Sequence, residues 1–218
     1  LNAVLIASQV YRHLLFNRLP PTPTLDRSIA RLGILLLLFD VYLTWARIEK
    51  LGSNAQILQA QPLVVQYLFF LALVAGSTLA FHVPIRLLCN VNLGNEGWGA
   101  KCWRRIIPYY PYPTPLSTAL LVSSCTKLFP ILLIIWDYDL PSSATAVSWA
   151  VIVNNVAALE ILMDCGYVRA GVLVGVGAAV RSAVAWAMLW GAGLGTGWEG
   201  YDAVQSVREW IGEMGALL

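Results

Sequence analysis

The sequence predicts an all-α, polytopic helical membrane protein, with about five transmembrane helices and an amphipathic interfacial helix at each end. Composition is the first reason. Of 218 residues, 58% are hydrophobic and 12% charged, with a mean hydropathy of +0.67, whereas a soluble domain is about half apolar and about a quarter charged. The second reason is that the apolar residues fall into separate runs, each near the about 20 residues a helix needs to cross hydrocarbon. The third is punctuation: proline-, aromatic- and charge-rich segments separate those runs. Five spans would use about 100 residues, which leaves no room for a nucleotide-binding core or a hydrolase sheet. A net charge of +2 is too small to suggest a nucleic-acid partner.

Residues 1–27 open the chain. Over Leu1–Asn17 the helical period puts Val4, Ala7, Tyr11, Leu14 and Leu15 on one face and Asn2, Gln9, Arg12 and His13 on the other. The segment is too short to span and has a basic polar face, so it is expected to lie in the interface. The prolines of LPPTPTLD, 19–26, end it, because proline cannot sit in a helix interior. The bundle proper is expected over residues 28–190. Its spans are predicted at about Ser28–Trp45, Leu63–Leu88, Leu116–Trp136 with a kink at Pro130, Ala144–Met163 and Val168–Trp190. The longest loop, 90–115, interleaves Lys101, Arg104 and Arg105 with Trp98, Trp103, Tyr109, Tyr110 and Tyr112. Beside two spans this mixture reads as an interfacial belt rather than a single-strand nucleic-acid platform. In the tail, 191–218, Val204, Val207, Ile211 and Met214 repeat the amphipathic period.

Orientation follows the distribution of Lys and Arg outside the spans. Arg12, Arg18, Arg27, Arg86, Lys101, Arg104, Arg105 and Arg169 fall on one side; Arg47, Lys50 and Arg208 fall on the other. With an odd number of spans, the N-terminus is predicted to be cytosolic and the C-terminus lumenal or external.

Charges within hydrocarbon cost about 2.5–3.5 kcal/mol each on insertion scales, so each one needs a reason. Asp40, Lys127 and Arg181 fall near mid-depth of the first, third and fifth spans, and the amides Asn154 and Asn155 lie at similar depth in the fourth. Pro130 should leave the Thr126 carbonyl without its helical donor, beside Ser123 and Ser124 on the face of Lys127. In the fifth span Gly171, Gly175, Ala179, Ala183, Ala187 and Gly191 recur every fourth residue, a ladder that permits close helix packing. Arg181 lies about 200° from Ala179, so it points away from the ladder and needs a second partner. Asp40 paired with either cation would brace the bundle; two cations against one carboxylate would also suit a lipid phosphate.

Cys89, Cys102, Cys125 and Cys165 show no paired-cysteine spacing, so free thiols are expected and no metal site. Neither His13 nor His82 has a carboxylate at dyad spacing, and no P-loop, GxSxG or HExxH pattern occurs. Catalytic residues are therefore not predicted.

The run Tyr11-Arg12-His13-Leu14-Leu15-Phe16-Asn17 resembles the signature of the Arv family of endoplasmic-reticulum lipid-regulating proteins. Leu120–Ser124, Lys127, Ile135–Asp137 and the pair Asn154 and Asn155 are similar to that family's later pattern, in order. The resemblance implies a non-enzymatic protein of the endoplasmic-reticulum membrane that supports sterol transport, sphingolipid balance and glycosylphosphatidylinositol-anchor assembly. Membrane lipids are its implied partners, with lipid-biosynthetic membrane enzymes as possible others. The family also opens with a zinc-ribbon-like module carrying two paired-cysteine knuckles. This chain has no such pair, so zinc is expected only in an upstream segment. From the residues alone, a lipid handler, a scaffold for a lipid-glycosylating complex and an intramembrane enzyme using His13 or Asp137 all stay open.

Overall fold

The computed structural model describes residues 9, 11–13, 16, 27–51, 61–91, 104–129 and 140–192. Among the described residues five α-helices form the frame: α1 Arg27–Leu51, α2 Leu63–Asn90, α3 Pro113–Ser123, α4 Leu140–Met163 and α5 Tyr167–Gly191. No strand occurs among the described residues, in keeping with the all-α, membrane-embedded class. Helices α2 and α5, and α1 over Arg27–Trp45, are long and apolar enough to cross a membrane; the apolar stretch Trp149–Met163 of α4 is shorter. Three helices of spanning length and apolarity thus lie among the described residues, and the third and fourth of the five predicted spans are described only in part, α3 only as far as the turn beyond it. Asp137, the C-terminal tail, Arg18, Asn17, Lys101 and Cys102 lie outside the described residues.

Packing registers give the direction of each helix. Gly76 of α2 faces Met188 of α5, while Gly177 of α5 faces Phe81 and Ile85 of α2, so these two run antiparallel. Ala119 meets Ala158 and Ile161, and Ser124 meets Asn155, so α3 and α4 are antiparallel as well. Gly33 meets Leu121 and Asp40 meets Lys127, which makes α1 and the α3 strand of chain parallel. A connection of only Asp164, Cys165 and Gly166 turns α4 into α5, with Asp164 and Gly166 both at positive φ. Gly166, at φ 83°, occupies a conformation that side-chain-bearing residues rarely adopt. Successive helices therefore alternate in direction, as in an up-down bundle. Arg27, Arg86, Arg104, Arg105 and Arg169 are exposed and share one end, matching the charge bias read from sequence.

Apolar packing is split into two layers. At the basic end, Phe81 and Ile85 of α2, Leu116 and Leu120 of α3, Leu159 of α4, and Leu173 and Val174 of α5 form one core, with Ile107 tucked beneath. The Tyr110 amide donates to the Cys89 carbonyl at 2.9 Å, pinning the aromatic loop to the end of α2. Toward the other end, Val41 packs with Phe70, Leu73 and Val74. Exposed leucines, valines and aromatics such as Val64, Leu79, Trp186 and Trp190 cover the outside, as lipid-facing surfaces do. Between the two apolar layers lies a polar one.

The third segment departs from its predicted shape. Its α-helix stops at Ser123 and continues as a 3₁₀ turn, Ser124–Leu128, before Pro130 is reached. The Phe129 amide donates to the Thr126 carbonyl at 3.0 Å, so that carbonyl is not orphaned as the proline argument predicts. Serine and threonine side chains that bond their own backbone loosen a helix, and here the Ser124 hydroxyl donates to the Leu120 carbonyl at 2.7 Å.

Candidate functional site

Asp40 lies 13 residues into α1 and Arg181 14 residues into α5, about 20 Å along each helix at 1.5 Å per residue. Both are therefore near mid-depth. Lys127 comes to the same level because α3 runs parallel to α1 and ends in the 3₁₀ turn. The Lys127 ammonium donates to Asp40 Oδ2 at 3.1 Å, and the Arg181 guanidinium lies 3.9 Å from the same oxygen. Three charges far apart in sequence are thus brought together. Arg181 is 34% exposed against 16% for Asp40 and 19% for Lys127, which puts the guanidinium at the membrane-facing edge of the cluster.

An amide–hydroxyl patch adjoins the ions. Asn155 is buried and its Oδ1 accepts from the Ser123 hydroxyl, with the Ser124 hydroxyl 3.5 Å away. The Asn154 amide donates to Thr126 Oγ1 at 2.6 Å. Both predicted asparagines therefore tie α4 to the 3₁₀ turn that carries Lys127. A buried amide left without such partners would cost about 1–3 kcal/mol.

Two further residues adjoin the cluster, one that the sequence reading did not place there and one that it singled out only as part of the signature. His82 of α2 lies within electrostatic range of Lys127, Arg86 and Arg181; the predicted span Leu63–Leu88 puts it toward a span end, but the antiparallel α2–α5 register sets it level with Arg181. All five helical segments thus supply a polar group to one depth. The second is Tyr11, which packs beside Ala119, Ala158 and Ile161 and shares a hydrogen bond with Thr126. Burial holds its hydroxyl above the ordinary range, Cys125 adds to the shift and the Thr126 bond opposes it. Of the remaining signature residues, Arg12, His13 and Phe16 are exposed. The amphipathic pattern put Tyr11 on the apolar face correctly; that this face enters the α3–α4 seam was not legible from it.

The small-residue ladder faces outward from the described helices. Gly171 and Gly175 have nothing within 4 Å of where a Cβ would stand, and Gly175, Ala179 and Ala183 are exposed. The glycine that lets α5 approach α2 is Gly177, where a Cβ would lie 2.8 Å from Ile85 Cδ1. The ladder is one residue register away from the buried stripe of Ala170, Leu173, Val174 and Gly177. Cys89, Cys125 and Cys165 are free thiols. Among the described residues no three His, Cys, Asp or Glu side chains gather as a metal site.

These features define a class: an all-helical, multi-pass membrane protein with an ionic and hydrogen-bonded centre at mid-depth. Comparison with known proteins gives the particular family. The Arv1-like family's sequence profile matches residues 1–159, and the chain belongs to that family. It is similar to Protein arv1 of Schizosaccharomyces pombe, 34% identical over 196 residues covering 87% of this chain and 67% of the relative. It is also similar to Protein ARV1 of Candida albicans, 32% identical over 153 residues covering 66% of this chain and 51% of the relative. For Protein ARV1 of Eremothecium gossypii the identity is 28% over 152 residues, 63% of this chain and 48% of the relative. The chain thus spans about half to two thirds of the length of these relatives. No solved structure gives a significant match.

Proposed function

We propose that this chain is a non-enzymatic lipid-handling protein of the endoplasmic-reticulum membrane, with its N-terminus cytosolic, supporting sterol movement, sphingolipid balance and glycosylphosphatidylinositol-anchor assembly. The observation that carries the reading is the cluster of Asp40, Lys127 and Arg181 at mid-depth. A bundle that needs only one brace has no reason to bear a second cation, because each intramembrane charge is costly and such residues mark ligand pathways by default. Membership of the Arv1-like family supports the lipid context. The membrane-facing Arg181 would meet a headgroup or sterol hydroxyl, while the amides and hydroxyls hold the 3₁₀ turn in place.

Purified full chain in liposomes tests this. Lipid transfer or flipping without partners is the expected result, with a K127A/R181A double variant reducing it severalfold. Inert protein would contradict the reading, and product formation would replace it with an enzyme.

A second reading is favoured by the exposed ladder on α5. Gly171 and Gly175 leave a smooth face open of the kind on which transmembrane helices associate. In that reading the chain is an accessory subunit of a lipid-glycosylating complex, and a transferase would co-purify with it.

A further inference from the structure

The charge balance of the mid-depth cluster narrows the ligand class, on the footing that the chain handles lipid as proposed above. Among the described residues the ion pairs of Lys127 and Arg181 both go to Asp40, so the three groups carry one net positive charge. His82 lies within electrostatic range of both cations and brings no counter-charge. The two contacts are unequal. Lys127 is within hydrogen-bond length of the carboxylate at 3.1 Å, whereas Arg181 at 3.9 Å is beyond it, so Arg181 is the looser of the two ion-pair partners and its donors are not hydrogen-bonded to Asp40. A guanidinium fork at the exposed edge of a low-dielectric site suits the paired oxygens of a phosphate, which it can bind bidentately.

From this we infer that Arg181 is the seat for a phosphodiester headgroup carrying one negative charge, and that Asp40, held by Lys127, sets the selectivity for single over double charge. A phosphodiester brings the cluster to neutrality. A phosphomonoester, ionised to nearly two charges, leaves a surplus negative charge beside the Asp40 carboxylate, where repulsion is weakly screened. Removing the Asp40 charge reverses the balance: two cations then match a doubly charged headgroup.

The test uses full chain in nanodiscs of phosphatidylcholine containing a trace of fluorescent phosphatidylglycerol or fluorescent phosphatidic acid. Wild type is expected to hold phosphatidylglycerol about threefold or more over phosphatidic acid, and D40N to shift that ratio about tenfold toward phosphatidic acid. R181Q keeps the Lys127–Asp40 pair, and is expected to lose the preference for either anionic lipid over phosphatidylcholine. Retention of that preference by R181Q, or a ratio unmoved by D40N, overturns the inference. Should D40N not fold, wild type decides alone, since a native preference for phosphatidic acid is incompatible with the charge balance. Glycerophosphate added at equal concentration separates the sources: no displacement is expected, and displacement would overturn a membrane-lipid ligand. Transfer of phosphatidylcholine and sterol is followed in the same preparation. Transfer without the predicted selectivity removes only the phosphodiester seat, whereas absence of all lipid transfer removes the lipid-handling reading beneath it.

Discussion

Asp40 is the residue on which the polar layer depends. It answers Lys127 at 3.1 Å and Arg181 at 3.9 Å, so truncating it leaves two cations in a low-dielectric layer, while truncating either cation leaves Asp40 still facing the other. Breaking a buried ion pair typically costs about 3–5 kcal/mol, less where the groups are partly solvated. The expected order of thermal stability in mild detergent is therefore D40A lowest, with K127A and R181A between it and wild type, measured by melting. Equal loss in all three would mean the charges do not act as a set. N155A is expected to cost about 1–3 kcal/mol by leaving the Ser123 hydroxyl without its cross-helix acceptor, since Asn155 is buried. At this scale the sequence was informative: apolar surroundings alone marked Asp40, Lys127, Arg181, Asn154 and Asn155 as residues that must find partners. What it could not give was the choice of partner. From sequence Arg181 could answer Asp40 or a lipid phosphate, since helix directions decide which groups meet, and His82 carried no mark that it would lie near the cations.

Two elements behave differently from their sequence patterns, for identifiable physical reasons. In α5 the fourfold ladder is an exposed face and the buried glycine is Gly177, because side-chain size sets which faces can approach but not which neighbour arrives. G177L is expected to cost about 1–3 kcal/mol by forcing a side chain against Ile85 and Phe81, whereas G175L should leave the melting temperature of the isolated chain unchanged. If G175L instead abolishes co-purification of a partner, the ladder is a docking face; if both variants melt alike, the assignment of faces is wrong. In α3 the helix changes type at Ser124, a consequence of serine and threonine hydroxyls competing for backbone carbonyls, which a proline-based argument overlooks. Tyr11 links the signature segment to this turn through Thr126. Y11F is expected to make the N-terminal segment more accessible to protease, with only a small change in melting temperature, while an unchanged cleavage rate would show that the hydroxyl does not hold the segment.

For the whole molecule, alternation of helix direction fixes which loops share a side. The α4–α5 connection and the loop carrying Arg104 lie with Arg27 and Arg86 at the basic end, and Gln61 lies at the opposite end. In sealed microsomes with a cysteine-free background, D164C and R104C should react with an impermeant maleimide from the same side, and Q61C from the other. Labelling of D164C and R104C from opposite sides would contradict the up-down arrangement. Hydropathy and charge bias made the bundle and its polarity legible, because both follow from the solvent each segment must meet. The shape of the third segment was less so, since its α-helix gives way to a 3₁₀ turn at Ser124, ahead of the proline that marks the break in the sequence.

The central claim is that the mid-depth cations serve a lipid and not the bundle alone. Native mass spectrometry of the purified full chain, released from gentle detergent, reads this most directly. Wild type should carry a phospholipid adduct that R181Q lacks, with both proteins folded and melting within a few degrees of each other; an identical adduct on R181Q would contradict the account.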